Sequence, residues 1–147
     1  MQVGEICSRD VYVVHADEPL AEAAREMSQR HIGAVVVVES RGEMTRPIGI
    51  VTDRDILCGQ FDRGKDLFCL SVSEVMTRDP LTVAESSGVA EAIESMSGRA
   101  VRRAPVVDQA GNLVGIVTVD DLLPVLAGEL SALAALIGTQ AHRERRH

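Results

Sequence analysis

Apolar positions in this chain fall into short unbroken runs, separated by stretches with helical spacing, and the whole pattern occurs twice. Residues 34–38 and 104–107 are continuous apolar runs, which predicts strands buried on both faces. Residues 12–15 and 81–83 predict short first strands, and residues 48–51 and 113–117 predict third strands. Between first and second strands, Leu20, Ala23, Ala24 and Met27 recur at i, i+3, i+4 and i+7, as do Val89, Ala92, Ile93 and Met96. That spacing predicts one amphipathic helix per copy. Pro19 suits the first turn of the earlier helix, and Ser86 or Ser87 offers a cap for the later one. Polar turns containing Gly follow at 39–46 and 108–112, so the predicted unit is β-α-β-β-α.

The duplication is explicit in the residues. An offset of 69 lays residues 3–38 on 72–107, with Glu5/Glu74, Arg9/Arg78, Val14/Val83, Ala23/Ala92, Met27/Met96 and Arg30/Arg99 among the identical pairs. An offset of 66 then lays 49–57 on 115–123, with six of nine positions identical. Both copies read Gly-Ile-Val-Thr-x-x-Asp, through Thr52 and Asp55 or Thr118 and Asp121. Threonine at the end of a strand with an acidic residue three later predicts a helix-starting capping box. Glycine at the head of the apolar run predicts a close approach, by a neighbouring strand or by a ligand.

The predicted organisation is a first unit at 1–58, a linker at 59–71, a second unit at 72–128, and a C-terminal helix and tail at 129–147. One unit of about 50 residues is too small for a self-sufficient core, so the two are expected to pack sheet to sheet. Pro124 predicts a kink or restart in the last helix, and Gly138 predicts its end. Leu123, Leu126, Leu130, Leu133 and Ile137 step by 3, 4, 3 and 4. That spacing fits a helix packed on its own domain and equally a dimer seam. The tail at 141–147 is expected to fray.

Net charge is -7, with 25% charged residues, which argues against general binding to nucleic acid or an anionic membrane. The aromatics Tyr12, Phe61 and Phe68 are too few for a base-stacking platform. The N-terminus lacks a signal-peptide layout, and the late apolar stretch, interrupted by Glu129, reads as too short for a bilayer span. Cys7, Cys58 and Cys69 are odd in number and lack metal-ligand spacing, which predicts reduced thiols in a cytoplasmic protein.

Together, the duplicated unit, the apolar strands at 31–36 and 102–107, and the repeated Gly-Ile-Val-Thr-x-x-Asp resemble a tandem pair of CBS domains. The resemblance covers residues 3 to about 128, without an attached catalytic or transport domain, as in the stand-alone CBS-pair proteins of bacteria. It implies an α/β fold in which two β-α-β-β-α units meet around a pseudo-two-fold axis. It also implies adenosine ligands in clefts between the units: AMP, ADP or ATP, with S-adenosylmethionine or NAD as further members of the class. A disc-like homodimer and an unknown effector protein complete the expectation, with no cofactor required.

The resemblance assigns Asp121 and Asp55 to ribose hydroxyls, and Thr118 and Thr52 to the neighbourhood of the phosphates. Arg102 and Arg103 match family positions that reach phosphates. Gly33 and Ala34 replace them in copy one, so the first cleft is expected to lack that clamp unless Arg54 supplies the charge. Ala104, Pro105, Gly33 and Val35 match positions beside the adenine, while Thr82, Val83 and Val14 match the first-strand contact to the base. Two other readings remain. One is a ligand-free structural dimerisation module, in which the capping boxes account for the aspartates. The other is a phosphohydrolase using Asp53, Asp55, Asp120 and Asp121 on a metal; successive residues at a helix start converge poorly on one ion, and no Ser-His-Asp set assists them.

Overall fold

A computed structural model describes residues 1–146. Its strands are β1 (Val13–His15), β2 (Ala34–Arg41), β3 (Met44–Thr52), β4 (Thr77–Arg78), β5 (Val83–Ala84), β6 (Arg103–Val107) and β7 (Leu113–Thr118). Its helices are α1 (Leu20–Arg30), α2 (Asp53–Arg63), α3 (Val72–Val75), α4 (Val89–Arg99) and α5 (Val119–Glu144). A four-stranded sheet has the order β1-β2-β3-β4 and a three-stranded sheet the order β5-β6-β7. In both, the first strand pairs parallel with the second across a helix, and the second pairs antiparallel with the third. The architecture is therefore α/β and twofold repeated.

Two cores follow from strand alternation. Val35, Val37 and Val51 point into the first core, together with Leu20, Ala23 and Met27 of α1. Ala104, Val106 and Val117 point into the second, with Val89, Ala92 and Met96 of α4. Val36, Val38, Ile50 and Pro105 are also buried but belong to neither core. Alternation turns them to the opposite sheet face, where β3 meets β7. The expected burial of the central strands on both faces is observed, and its cause is the second unit.

The leader of each copy crosses to the other unit. Val3 and Gly4 donate their N–H groups to Ser87 and Glu85 of the second unit, and Ser8 exchanges both backbone bonds with Ile116. Reciprocally, Val72 and Ser73 donate to Glu18 and Ala16, and β4 adds to the edge of β3. The crossing explains the repeated glycine. A Cβ on Gly115 would lie 2.7 Å from the Ser8 carbonyl oxygen and 2.8 Å from Cys7 Sγ; one on Gly49 would lie 2.7 Å from Met76 Sδ and 3.0 Å from the Thr77 carbonyl. The close approach is by neighbouring protein: the leader at Cys7 and Ser8 for Gly115, and Met76 with strand β4 for Gly49. The same packing partly buries Cys7, and that burial pushes its thiol pKa up.

Several local expectations are corrected. Strands β2 and β3 run to Arg41 and from Met44, so most of the expected turn at 39–46 is strand around Gly42 at φ +62°. Helix α2 continues to Arg63 and ends on left-handed Gly64, so residues 59–63, before the second unit, are helical. Helix α4 starts from Gly88 without a side-chain cap, so neither Ser86 nor Ser87 serves. Helix α5 runs unbroken through Pro124 and Gly138 to Glu144. Pro124 forgoes one bond, to the carbonyl of Asp120, an exposed residue on the solvent side of the helix. This helix is also long and apolar enough to cross a membrane by length and composition, contrary to the expectation of too short a stretch. The same length and composition also serve a helix that packs on another chain. Residue 147 of the expected frayed tail lies outside the described residues.

Candidate nucleotide-binding clefts

The helix starts define the site. Thr52 Oγ1 accepts the Asp55 N–H at 3.1 Å, and Asp55 Oδ2 accepts the Thr52 N–H at 2.9 Å. In copy two, Asp121 Oδ2 accepts the Thr118 N–H at 2.9 Å and the Thr118 hydroxyl at 3.1 Å. The two capping boxes expected from sequence are both present. Behind each helix start, a strand-start carbonyl receives the first helical N–H: Asp53 donates to Gly33 at 3.1 Å and Val119 to Arg102 at 2.9 Å.

Two cavities sit at these helix starts, and pseudo-symmetry relates them. The first, of 430 Å³, is walled by Thr52, Arg54 and Asp55 from copy one. From copy two, Pro80, Leu81, Arg99, Arg102 and Arg103 face them. The second, of 230 Å³, sets Thr118 and Ile116 of copy two against Val11, Tyr12, Ile32, Gly33 and Ala34 of copy one. Each cavity thus joins the helix start of one copy to the strand start of the other. A larger hollow of 610 Å³ lies by Glu85 and Asp108, away from both motifs. Its one guanidinium, Arg9, is already bonded to the Gly4 carbonyl and Glu85.

Cross-building reverses one expectation. The cavity at Thr52 and Asp55 does not lack a basic clamp: Arg102 and Arg103 stand in its wall beside Arg54. Gly33 and Ala34 instead line the Thr118 cavity. Comparing copies shows which positions correspond, but not which copies face one another. Among the described residues, Arg54, Arg102 and Arg103 make no ion pair. Three uncommitted guanidiniums in a hollow of an acidic protein favour an anionic occupant.

The other predicted residues are placed differently. Val14, Val35, Val83, Ala104 and Pro105 are buried, so their side chains are packing elements and leave only backbone to face a cleft. Thr82 is exposed and, like Asp121, is outside both cavity walls. Sequence reasoning missed Arg99, Leu81 and Tyr12 as wall residues. Arg30, the counterpart of Arg99, is drawn away by Glu26 at 2.7 Å and lies over the Tyr12 ring, 3.8 Å from its centroid. Among the described residues, no three His, Cys, Asp or Glu side chains gather as an ion-binding group.

The family model for the CBS domain matches residues 3–59 and 72–128. The chain belongs to the CBS-domain family. As a CBS pair it is similar to the CBS domain-containing protein YhcV of Bacillus subtilis, 35% identical with 91% of each chain covered. It is 38% identical to an uncharacterized protein of Methanopyrus kandleri, covering 85% of this chain but spanning 62% of that relative. It spans 22% of an inosine-5'-monophosphate dehydrogenase of Thermoplasma acidophilum, at 35% identity over 80% of this chain. Among solved structures, the CBS domain pair of protein MJ0100, in complex with 5'-methylthioadenosine and S-adenosyl-L-methionine, matches with TM-score 0.73 and 27% identity, covering 88% of this chain and 98% of that one. A hexameric CBS-CP12 protein from bloom-forming cyanobacteria matches with TM-score 0.72 and 28% identity, over 84% of this chain and 69% of that one.

Proposed function

We propose that this CBS pair is a non-enzymatic regulatory module that binds an adenosine nucleotide between its units and passes the bound state to an effector protein. The observation that carries the reading is the first cavity, where Asp55 stands opposite unpaired Arg102 and Arg103. A carboxylate accepts from neighbouring ribose hydroxyls, while guanidiniums pair with phosphate. Asp55 uses Oδ2 in the cap, which leaves Oδ1 for such hydroxyls. The MJ0100 pair supports the adenosine class, and the arginines favour AMP, ADP or ATP within it over less anionic members such as S-adenosylmethionine or NAD.

Ligand binding shifts a regulatory equilibrium only by its differential affinity for the two states. The reading therefore requires measurable affinity first. A thermal-shift series with AMP, ATP and S-adenosylmethionine tests it: a nucleotide-dependent rise in melting temperature, reduced in Arg102→Ala, is expected. No rise with any of them contradicts the reading.

Self-association belongs to the same proposal. Helix α2 exposes Leu57 and Phe61, and α5 exposes Leu123, the counterpart of Leu57, followed by Leu126, Leu130, Leu133 and Ile137. A second copy covering these exposed apolar side chains gives a homodimer. The free cysteines, two of them exposed, fit a reducing cytoplasmic setting.

A further inference from the structure

We infer that Arg103 couples the two cavities, so that an anion bound in the first weakens anion binding in the second. The inference rests on the nucleotide reading above and adds how its two clefts influence one another. Arg103 borders both cavities. Its backbone pairs with Thr118 across β6 and β7, which sets it at the edge of the second cavity. Its side chain reaches copy one, where Nη1 would lie 3.6 Å from a Cβ on Gly33 and Asp53 Oδ2 3.8 Å from the same point. The guanidinium therefore stands on the boundary between the hollows.

The charge around that boundary is unequal. The first cavity also has Arg54, Arg99 and Arg102 in its wall. Among the described residues, Arg103 is the one Lys or Arg in the wall of the second, which also contains Asp10. The duplication explains the asymmetry, because the counterparts of Arg102 and Arg103 are Gly33 and Ala34. A phosphate in the first cavity orients the Arg103 fork and consumes its single charge. The second cavity then presents Asp10 without its cation. Loss of one charge-assisted hydrogen bond corresponds to an expected weakening of about tenfold or more.

The test is calorimetric titration of the full chain with ATP and, separately, with adenosine. Wild type is expected to bind ATP in two unequal steps and adenosine without coupling. The first cavity is then disabled in two independent ways: Thr77→Trp fills it from edge strand β4, and Arg54→Ala combined with Arg102→Ala removes two of its cations while leaving Arg103 in place. In either variant, the second cavity is expected to bind ATP about tenfold more tightly than the second step of wild type. Two ATP molecules bound to wild type with no gain in the disabled variants overturn the coupling and leave the nucleotide reading intact. Absence of any binding by wild type overturns both.

Discussion

Asp55 and Thr52 hold each other in a reciprocal pair, in which each backbone N–H donates to the other's side chain, at 2.9 and 3.1 Å. Their pair starts α2 and also stands in the wall of the first cavity. One residue pair thus carries both a stability role and the proposed ribose contact, and substitutions separate them. Asp55→Asn keeps an acceptor for the Thr52 N–H but removes the charge. It is expected to unfold in urea close to wild type yet bind nucleotide more weakly. Asp55→Ala is expected to lose about 1 kcal/mol of stability as well. Equal nucleotide affinity in Asp55→Asn and wild type would place the ribose elsewhere.

The glycines divide by what surrounds them. A Cβ on Gly115 meets the backbone oxygen of Ser8 at 2.7 Å, whereas one on Gly49 first meets the flexible tip of Met76. Gly115→Ala is expected to cost about 1–3 kcal/mol through overpacking of the crossed leader, and Gly49→Ala less. Gly128 and Gly138 lie within α5 with nothing inside 4 Å of a built Cβ. Alanine at either is expected to stabilise the helix by about 0.5–1 kcal/mol. Urea midpoints check the order, and a neutral Gly115→Ala would contradict the crossed-leader packing.

Two carboxylates make stability depend on acid. Asp108 lies below its ordinary carboxylate range, chiefly because the Asn112 N–H donates to it, and the Ala110 N–H adds to the effect. Glu74 is lowered chiefly by the Ser71 N–H in the α3 capping box. Folding depresses both values, so the unfolded chain binds more protons as the medium becomes acidic. Their stabilisation is present above the ordinary carboxylate range and is lost as pH falls through the folded values. Urea midpoints measured from neutral pH down to about pH 3 should fall for wild type, and less steeply for Glu74→Gln combined with Asp108→Asn. Identical slopes would contradict the assignment.

The exposed stripe on α5 predicts self-association. Leu130 and Leu133 are 70% and 58% exposed, far from either core. Replacing both with Glu should leave the circular dichroism of the body intact while reducing the molar mass measured by light scattering. A wild type that runs as a monomer, or a variant whose mass is unchanged, would contradict a dimer seam there.

Much of the fold was legible because each unit repeats a local grammar. Apolar runs gave β2 and β6, the 3.6-residue spacing gave α1 and α4, and Thr-x-x-Asp gave two helix starts whose caps are observed. The misses lie where long-range contacts decide. Residues 1–8 pack on the unit that follows them by about seventy positions, which no local pattern reports. The same blind spot put Arg102 in the wrong cleft and gave Arg103 only one of the two it borders, since an internal alignment is silent on which copies oppose each other. The persistence of α5 through Pro124 was missed for a different reason: the lost hydrogen bond falls on the carbonyl of an exposed residue, Asp120, where it costs less than in a buried turn.

The central claim is that the Asp55 and Arg102 cavity takes a nucleotide, and calorimetric titration with ATP at two salt concentrations tests it most directly. The account predicts saturable binding by wild type that weakens with salt and falls about tenfold or more in Arg102→Ala. Binding that is absent, or unaffected by both salt and Arg102→Ala, would contradict it.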